Sequence, residues 1–371
     1  MSGTAEARLL VLSTREPSAR DARQVQAAVH AVRDWDRLIR LASHHGVTAH
    51  ARRALVASDS GIDDEVQDRL KQDEIADVAG VLLLDVALAR ALDALDRRDV
   101  RAIVLKGPVL ARRVYDAAAF RPYHDVDLVV RPEQLEIASR TIVELGFVEI
   151  PYEAEVARVA FESSGAEEPF HRMFVSATDR AMVEVHADPL QLGLKPKAEE
   201  DRWRRAIPAP ELGARALALC DEDQLVQLCV HAHKHGFSRL IWLKDLDLFV
   251  RRLGSSIDWR IVDDVSRREG VRASVWYSLS LARDLLGTPL TPARHMAPTP
   301  AVRAMYELIW PRRVVADLDA GMRRRAVQFH VAESWRGTLP TVVLMGRRAD
   351  RLRLIWRSLR GSSRTAVGKG R

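Results

Sequence analysis

The 371-residue sequence predicts an α+β protein in which a small mixed β-sheet core is flanked by N-terminal and C-terminal helical regions. Three observations predict it. Apolar residues recur at intervals of three and four through the first hundred positions, the spacing of amphipathic helices. Near residue 100 this gives way to short apolar runs separated by turn residues, the pattern of strands. Helical spacing then returns after about residue 196.

The elements follow in order. The stretch WDRLIRLASHHGVTAHARRALVA sets Trp35, Leu38, Leu41 and Ala42 on one stripe, and apolar residues repeat from Val66 to Leu95. Residues 1–98 are therefore expected to form three or four helices, with His44 and His45 as surface residues at a helix end. In the core, expected over 99–195, RAIVLKG reads as a buried strand turning at Lys106-Gly107 into a helix from Pro108 to Tyr115, since proline suits a first helical turn. A second strand spans Val126 to Val130, and a helix from Glu133 to Leu145 stops at Gly146. Phe147–Ile150, Phe170–Ser176 and Ala181–His186 read as further strands, the last two joined by the turn ATDR. Residues 196–290 form a helical region expected to pack on the core. Asp221 is read as an N-cap with Gln224 three residues on, and the Trp and Leu stripe of RLIWLKDLDLF as core. The linker TPLTPARHMAPTP leads into a basic region over 291–371.

Composition narrows the function classes. No apolar run approaches the roughly 20 residues of a membrane span, because Asp85 and Arg90 interrupt the best candidate, VAGVLLLDVALARAL. The first residues lack a basic start followed by a long apolar stretch, so the expected location is cytoplasmic. Cys220 and Cys229, without CxxC spacing, are read as core thiols rather than a disulfide or a zinc site. The charge is uneven: residues 341–371 carry eight arginines and one lysine against Asp350, a net +8. With a total of +6, the rest of the chain is near neutral at −2. Leu352, Leu354, Ile355 and Trp356 among those arginines have the pattern of a basic amphipathic helix, open to nucleic acid, to an anionic membrane, or to packing on its own body.

The chemistry-bearing segment is HDVDLVV. Strand alternation puts Asp125 and Asp127 on one face while Val126, Leu128 and Val130 turn to the other. Two carboxylates so close repel unless cations sit between them, and oxygen donors suit Mg2+ or Mn2+ rather than Zn2+. Asp-x-Asp also occurs at strand starts and in solvated loops. The context adds weight: AMVEVHADP holds Glu184 inside an apolar strand, where a charge needs a partner, with His186 two residues on and facing the same way. Glu184 could instead face water on an open sheet face. Lys106-Gly107, at a strand-to-helix turn, can offer backbone N–H groups and an ammonium to phosphate, although the GxxxxGK[ST] spacing is absent. His231 and His235 stand one helical turn apart, but no glutamate completes HExxH.

The ordered series LKGPVLARRVY, FRPYHDVDLVV, LGF and VEVHADP resembles the uncharacterised nucleotidyltransferases of the polymerase-β superfamily, with segments LKG, R-P-x-x-D-x-D and (D/E)-x-H. The resemblance runs outward to WDRLIRLASHHGVTAHARRAL and HAHKHGFSRLIWLKDLDLFV, roughly residues 35–250. It implies a nucleotidyltransferase core in which Asp125, Asp127 and Glu184 are catalytic and bind two Mg2+ or Mn2+ ions. It further implies that Lys106, Gly107 and Arg121 bind the nucleoside triphosphate, and that His186, His231, His235, Lys244 and Asp245 face an acceptor of unknown identity. The superfamily's usual Gly-Ser turn is replaced here by Gly107-Pro108, which lacks both a hydroxyl and an N–H, and Glu184 stands where aspartate is frequent. The activity implied is transfer of a nucleoside monophosphate to a hydroxyl or phosphate of a small molecule, sugar or peptide. A catalytically degenerate binding or scaffold protein of the same fold, and an RNA-directed transferase using the basic tail, are the competing expectations.

Overall fold

The structure is a computed structural model that describes residues 4–58, 61–150, 171–190, 199–289, 296–300 and 303. The basic tail and its amphipathic pattern, with most of the region from 291 onward, lie outside the described residues.

Five helices precede the sheet, where three or four were expected: α1 (Ala5–Thr14), α2 (Ala19–Val29), α3 (Trp35–His45), α4 (Thr48–Ala57) and α5 (Asp64–Asp96). Their starts are chemically marked. Thr4, Ser18, Asp34 and Asp63 each accept a hydrogen bond from a first-turn N–H, satisfying donors that a helix start leaves open. Helix α3 stops at Gly46, whose φ of +66° is a left-handed cap that L side chains adopt only with strain. At 33 residues, α5 is long, roughly 50 Å at 1.5 Å per residue. Its C-terminal half buries Val81, Leu84, Leu88, Ala91, Leu92 and Leu95, the three-and-four pattern of one face, against the sheet core. Among the described residues no helix is long and apolar enough to cross a membrane.

The sheet begins with β1 (Ile103–Val104), followed by α6 (Gly107–Arg113), a short 3-10 turn at Ala118–Phe120, and β2 (Val126–Val129). A second 3-10 turn, Pro132–Gln134, leads into α7 (Leu135–Glu144), so the helix expected from Glu133 starts two residues later. Strands β3 (Phe147–Ile150), β4 (His171–Ser176) and β5 (Met182–His186) follow. Beyond α8 (Glu199–Arg205), two-residue strands β6 (Ile207–Pro208) and β7 (Leu217–Ala218) join the same sheet. They come from a Pro-rich passage that carries no strand periodicity. The seven strands run in the order β3-β4-β5-β2-β1-β7-β6. Strands β2 and β5 are parallel, whereas β4 and β1 are antiparallel to their neighbours β5 and β2. The sheet is thus mixed, as expected.

One face of the sheet is dry. Val126, Leu128, Val130, Phe174, Val183 and Val185 pack there with α5 and with Leu135, Ala138 and Ile142 of α7. The alternate residues of the same strands project from the other face, where the chemistry collects. Among the described residues, the C-terminal helices include α9 (Asp221–Lys234), α10 (Leu240–Leu253), α11 (Trp259–Arg268) and α12 (Arg272–Leu286). Helices α9, α10 and α12 pack on one another, and α1 touches α10 and α12, so the first and last described helices close on each other.

Three local expectations need correction. Asp221 is the first residue of α9, not its cap: Cys220 occupies the cap position without capping a backbone N–H through its side chain, and Asp221 pairs with Arg113 at 2.8 Å. His45 is buried because its Nδ1 accepts the Leu240 N–H, the start of α10, at 3.2 Å. Cys229 is a core thiol, whereas Cys220 is only half-buried and donates to Asp223.

Candidate active site

The parallel pairing of β2 with β5 sets Asp127 directly opposite Glu184. Register partners share a face, so two carboxylates 57 positions apart in sequence become neighbours, with Asp125 two residues away on the same side. The antiparallel pairing of β4 with β5 places His171 opposite His186. Their rings stack at 4.3 Å between centroids and 1° between planes. Both imidazoles reach Glu184: Nε2 of His171 lies 3.0 Å and Nε2 of His186 lies 3.3 Å from Oε2. His186 Nε2 also donates to Asp127 Oδ1 at 2.9 Å. His171 was not expected at the site.

Lys106 completes the cluster. The chain leaves β1 with the Leu105 N–H donating to the Asp127 carbonyl at 3.0 Å, then turns sharply, and Lys106 takes φ +52° and ψ −115°. Non-glycine residues rarely hold such a conformation, and it costs on the order of 1–3 kcal/mol. The turn lays the ammonium 2.8 Å from Asp127 Oδ2 and 3.4 Å from His231 Nδ1, linking the sheet to α9. Gly107 is needed for a second reason: a Cβ there would stand 2.7 Å from Cβ and Cγ of Tyr123. Gly107→Ala is therefore expected to push Tyr123 off its hydrogen bond to Asp85 and to cost roughly 1–3 kcal/mol, as overpacking does. A denaturant midpoint equal to wild type would show that Tyr123 yields freely.

The cluster's electrostatics divide the carboxylates. Burial would raise Asp127, but Lys106 and His186 outweigh it and hold the acid well below its ordinary range. Glu184 is held down to about 2: burial opposes, and the hydrogen bonds from His171 and His186 prevail. His186 is correspondingly raised, the two carboxylates overcoming burial. His171 is lowered, chiefly by burial. Asp125 differs. Half-buried, it forms neither a hydrogen bond nor an ion pair among the described residues, and burial together with Asp127 pushes it up to about 6. A carboxylate held in this way is a seat for added positive charge.

On the helical side, burial and Lys106 keep His231 neutral, and burial lowers His235 to about 3. Their rings pack 4.7 Å apart, and both lie against Trp242. Lys234, also not expected, is lowered to about 8 by burial and by Lys106, while Asp127, Asp188 and Glu184 pull it back.

Three expected residues, Arg121, Asp245 and Lys244, are engaged elsewhere. Arg121 donates through Nε and Nη2 to Asp245 at 2.6 and 2.8 Å and through Nη1 to the Pro122 carbonyl at 2.6 Å. Tyr115 donates to the same Asp245 at 2.8 Å. The guanidinium lends charge to Asp125 at a distance, but the donors that a phosphate would require point at α10. Lys244 is fully buried and its ammonium meets Glu16 and Asp247 instead of the carboxylate cluster, because alternate positions on α10 face different neighbours.

The donor set suits a divalent cation. Asp127 and Glu184 are register partners, Asp125 adjoins them just before β2 with no hydrogen bond or ion pair among the described residues, and the ligand atoms of His171, Glu184 and His186 lie within 4.8 Å of one another. The chain belongs to the family described as Uncharacterised nucleotidyltransferase, whose model matches residues 31–287. Comparison with curated proteins and with solved structures finds no match.

Proposed function

We propose that the protein transfers a nucleoside monophosphate from a nucleoside triphosphate to a hydroxyl or phosphate of a small molecule, sugar or peptide. The observation that carries this reading is the β2–β5 register, which gathers Asp127 and Glu184 beside Asp125, a carboxylate with no hydrogen bond or ion pair among the described residues. These three residues would hold divalent cations, Mg2+ or Mn2+, two when the triphosphate is present. Bound there, the metal supplies positive charge for the phosphates and favours the deprotonated acceptor oxygen.

The chain's own groups do the rest. The acceptor oxygen forms a bond to the α-phosphorus as the bond from that phosphorus to the β-phosphate oxygen breaks, and pyrophosphate leaves. Lys106, already cationic over Asp127, can exchange that carboxylate for a phosphate oxygen, and Lys234 brings a second ammonium to the same face. Gly107 keeps the turn narrow enough for Tyr123 to seal it. His231 and His235, both neutral, offer hydrogen-bonding nitrogens on the acceptor side without adding charge. A chain that is near neutral outside its basic tail favours a small acceptor over a polynucleotide.

Incubation with labelled triphosphates, magnesium and a lysate of the source cells tests the reading. Wild type is expected to label a small acceptor, and the Asp125→Ala, Asp127→Ala double variant is not. Transfer that survives the double substitution would discard the site. Calorimetry that finds no triphosphate binding to the wild-type protein would favour a scaffold role.

A further inference from the structure

We infer that His171, Glu184 and His186 form a nitrogen-donor metal site, so that the centre prefers a later first-row dication such as Co2+ or Zn2+ to Mg2+. The inference deepens the proposed function, because Glu184 is shared between this site and the carboxylate set.

The case rests on geometry. All three residues project from two adjacent strands, with His171 opposite His186 in the β4–β5 register and Glu184 two positions from His186 on the same face. Strand positions hold donors more tightly than loops do, and both imidazoles are further fixed by stacking face to face. Two ring nitrogens converge on a single carboxylate oxygen at 3.0 and 3.3 Å, and all three ligand atoms fall within 4.8 Å. A cation taking the place of the protons now shared there would gain two nitrogens and one oxygen, leaving its remaining positions to solvent or substrate oxygen. Mg2+ demands oxygen donors and gives up water reluctantly, whereas imidazole nitrogen suits the later first-row dications. An oxygen-only centre, the expectation from Asp125, Asp127 and Glu184 alone, uses the two histidines only as hydrogen-bond partners of the carboxylates and not as ligands.

The test titrates the full chain, free of any histidine tag, with Co2+, whose visible absorption reports nitrogen ligation. Wild type is expected to bind Co2+ at least about tenfold more tightly than Mg2+, in line with the ligand order. His171→Ala and His171→Gln, checked for folding by thermal melt, should each weaken Co2+ at least about tenfold and alter its spectrum while changing Mg2+ affinity little. Co2+ affinity and spectrum unchanged in both variants would overturn the inference, as would equal affinities for Co2+ and Mg2+ in wild type. Asp125→Asn separates this from the broader reading. If it abolishes Mg2+ binding while the His171-dependent Co2+ spectrum persists, both stand. If Mg2+ binding is indifferent to Asp125 but Co2+ still requires His171, the nitrogen site stands and the carboxylate reading fails.

Discussion

Asp125→Asn is expected to make the protein more stable and nearly inactive. In the folded chain Asp125 is pushed up to about 6 from an ordinary 3.8. A group whose folded value exceeds its unfolded value binds protons more tightly when folded, so at neutral pH its ionised form opposes folding. The difference corresponds to roughly 2–3 kcal/mol at 1.36 kcal/mol per unit. Asparagine keeps the shape and removes the charge. Above pH 6 the variant should therefore melt several degrees higher than wild type. The gap should close as pH falls from about 6 towards 4, where wild-type Asp125 becomes protonated in the fold and escapes the penalty. Nucleotidyl transfer should fall by about 10²–10³-fold, the loss typical of removing one electrostatic anchor of a transition state. Stability bought by losing activity is the mark of a residue kept for function. A variant that melts below wild type at pH 7, or that retains transfer, would remove Asp125 from the site.

The carboxylates were readable because their signal is local. Asp125 with Asp127, and Glu184 with His186, sit two residues apart at or beside apolar strands, and alternation alone assigns each pair a face. That the two pairs meet depends on the β2–β5 register, a long-range fact that only the resemblance to a known family anticipated. His171 carried no such signal. It lies at the start of β4, and only the antiparallel register with β5 turns it into a neighbour of Glu184. His45 was misread for the same reason, since its partner Leu240 lies 195 residues along the chain. Strands β6 and β7 are two residues long, too short for any period to show. Helix α5, by contrast, was partly legible: its apolar face was plain, while its continuity through 33 residues follows from tertiary packing rather than from spacing.

Arg121→Ala is expected to destabilise the protein by about 3–5 kcal/mol, the cost of leaving a buried carboxylate without its partner. Arg121 and Asp245 are 5% and 1% exposed, and their two parallel bonds tie the segment before β2 to α10. Breaking that tie frees the segment that carries Asp125, so transfer should fall together with the melting temperature. Arg121→Lys keeps the charge but loses the fork and should recover only part of the stability. Asp245→Asn should lose stability in the same direction, because it strands the guanidinium. Replacing both residues with apolar side chains of similar volume should restore most of what either single change removes. A surface pair such as Arg97 with Asp93 should show no comparable coupling, since solvent screens it. These outcomes separate a strut from a phosphate ligand. If Arg121 binds the triphosphate directly, Arg121→Ala should raise KM for the nucleotide while the denaturant midpoint stays at the wild-type value, and Asp245→Asn should tighten nucleotide binding by releasing the guanidinium. If the midpoint and the turnover fall together in both variants, Arg121 serves the reaction only by holding Asp125 in place.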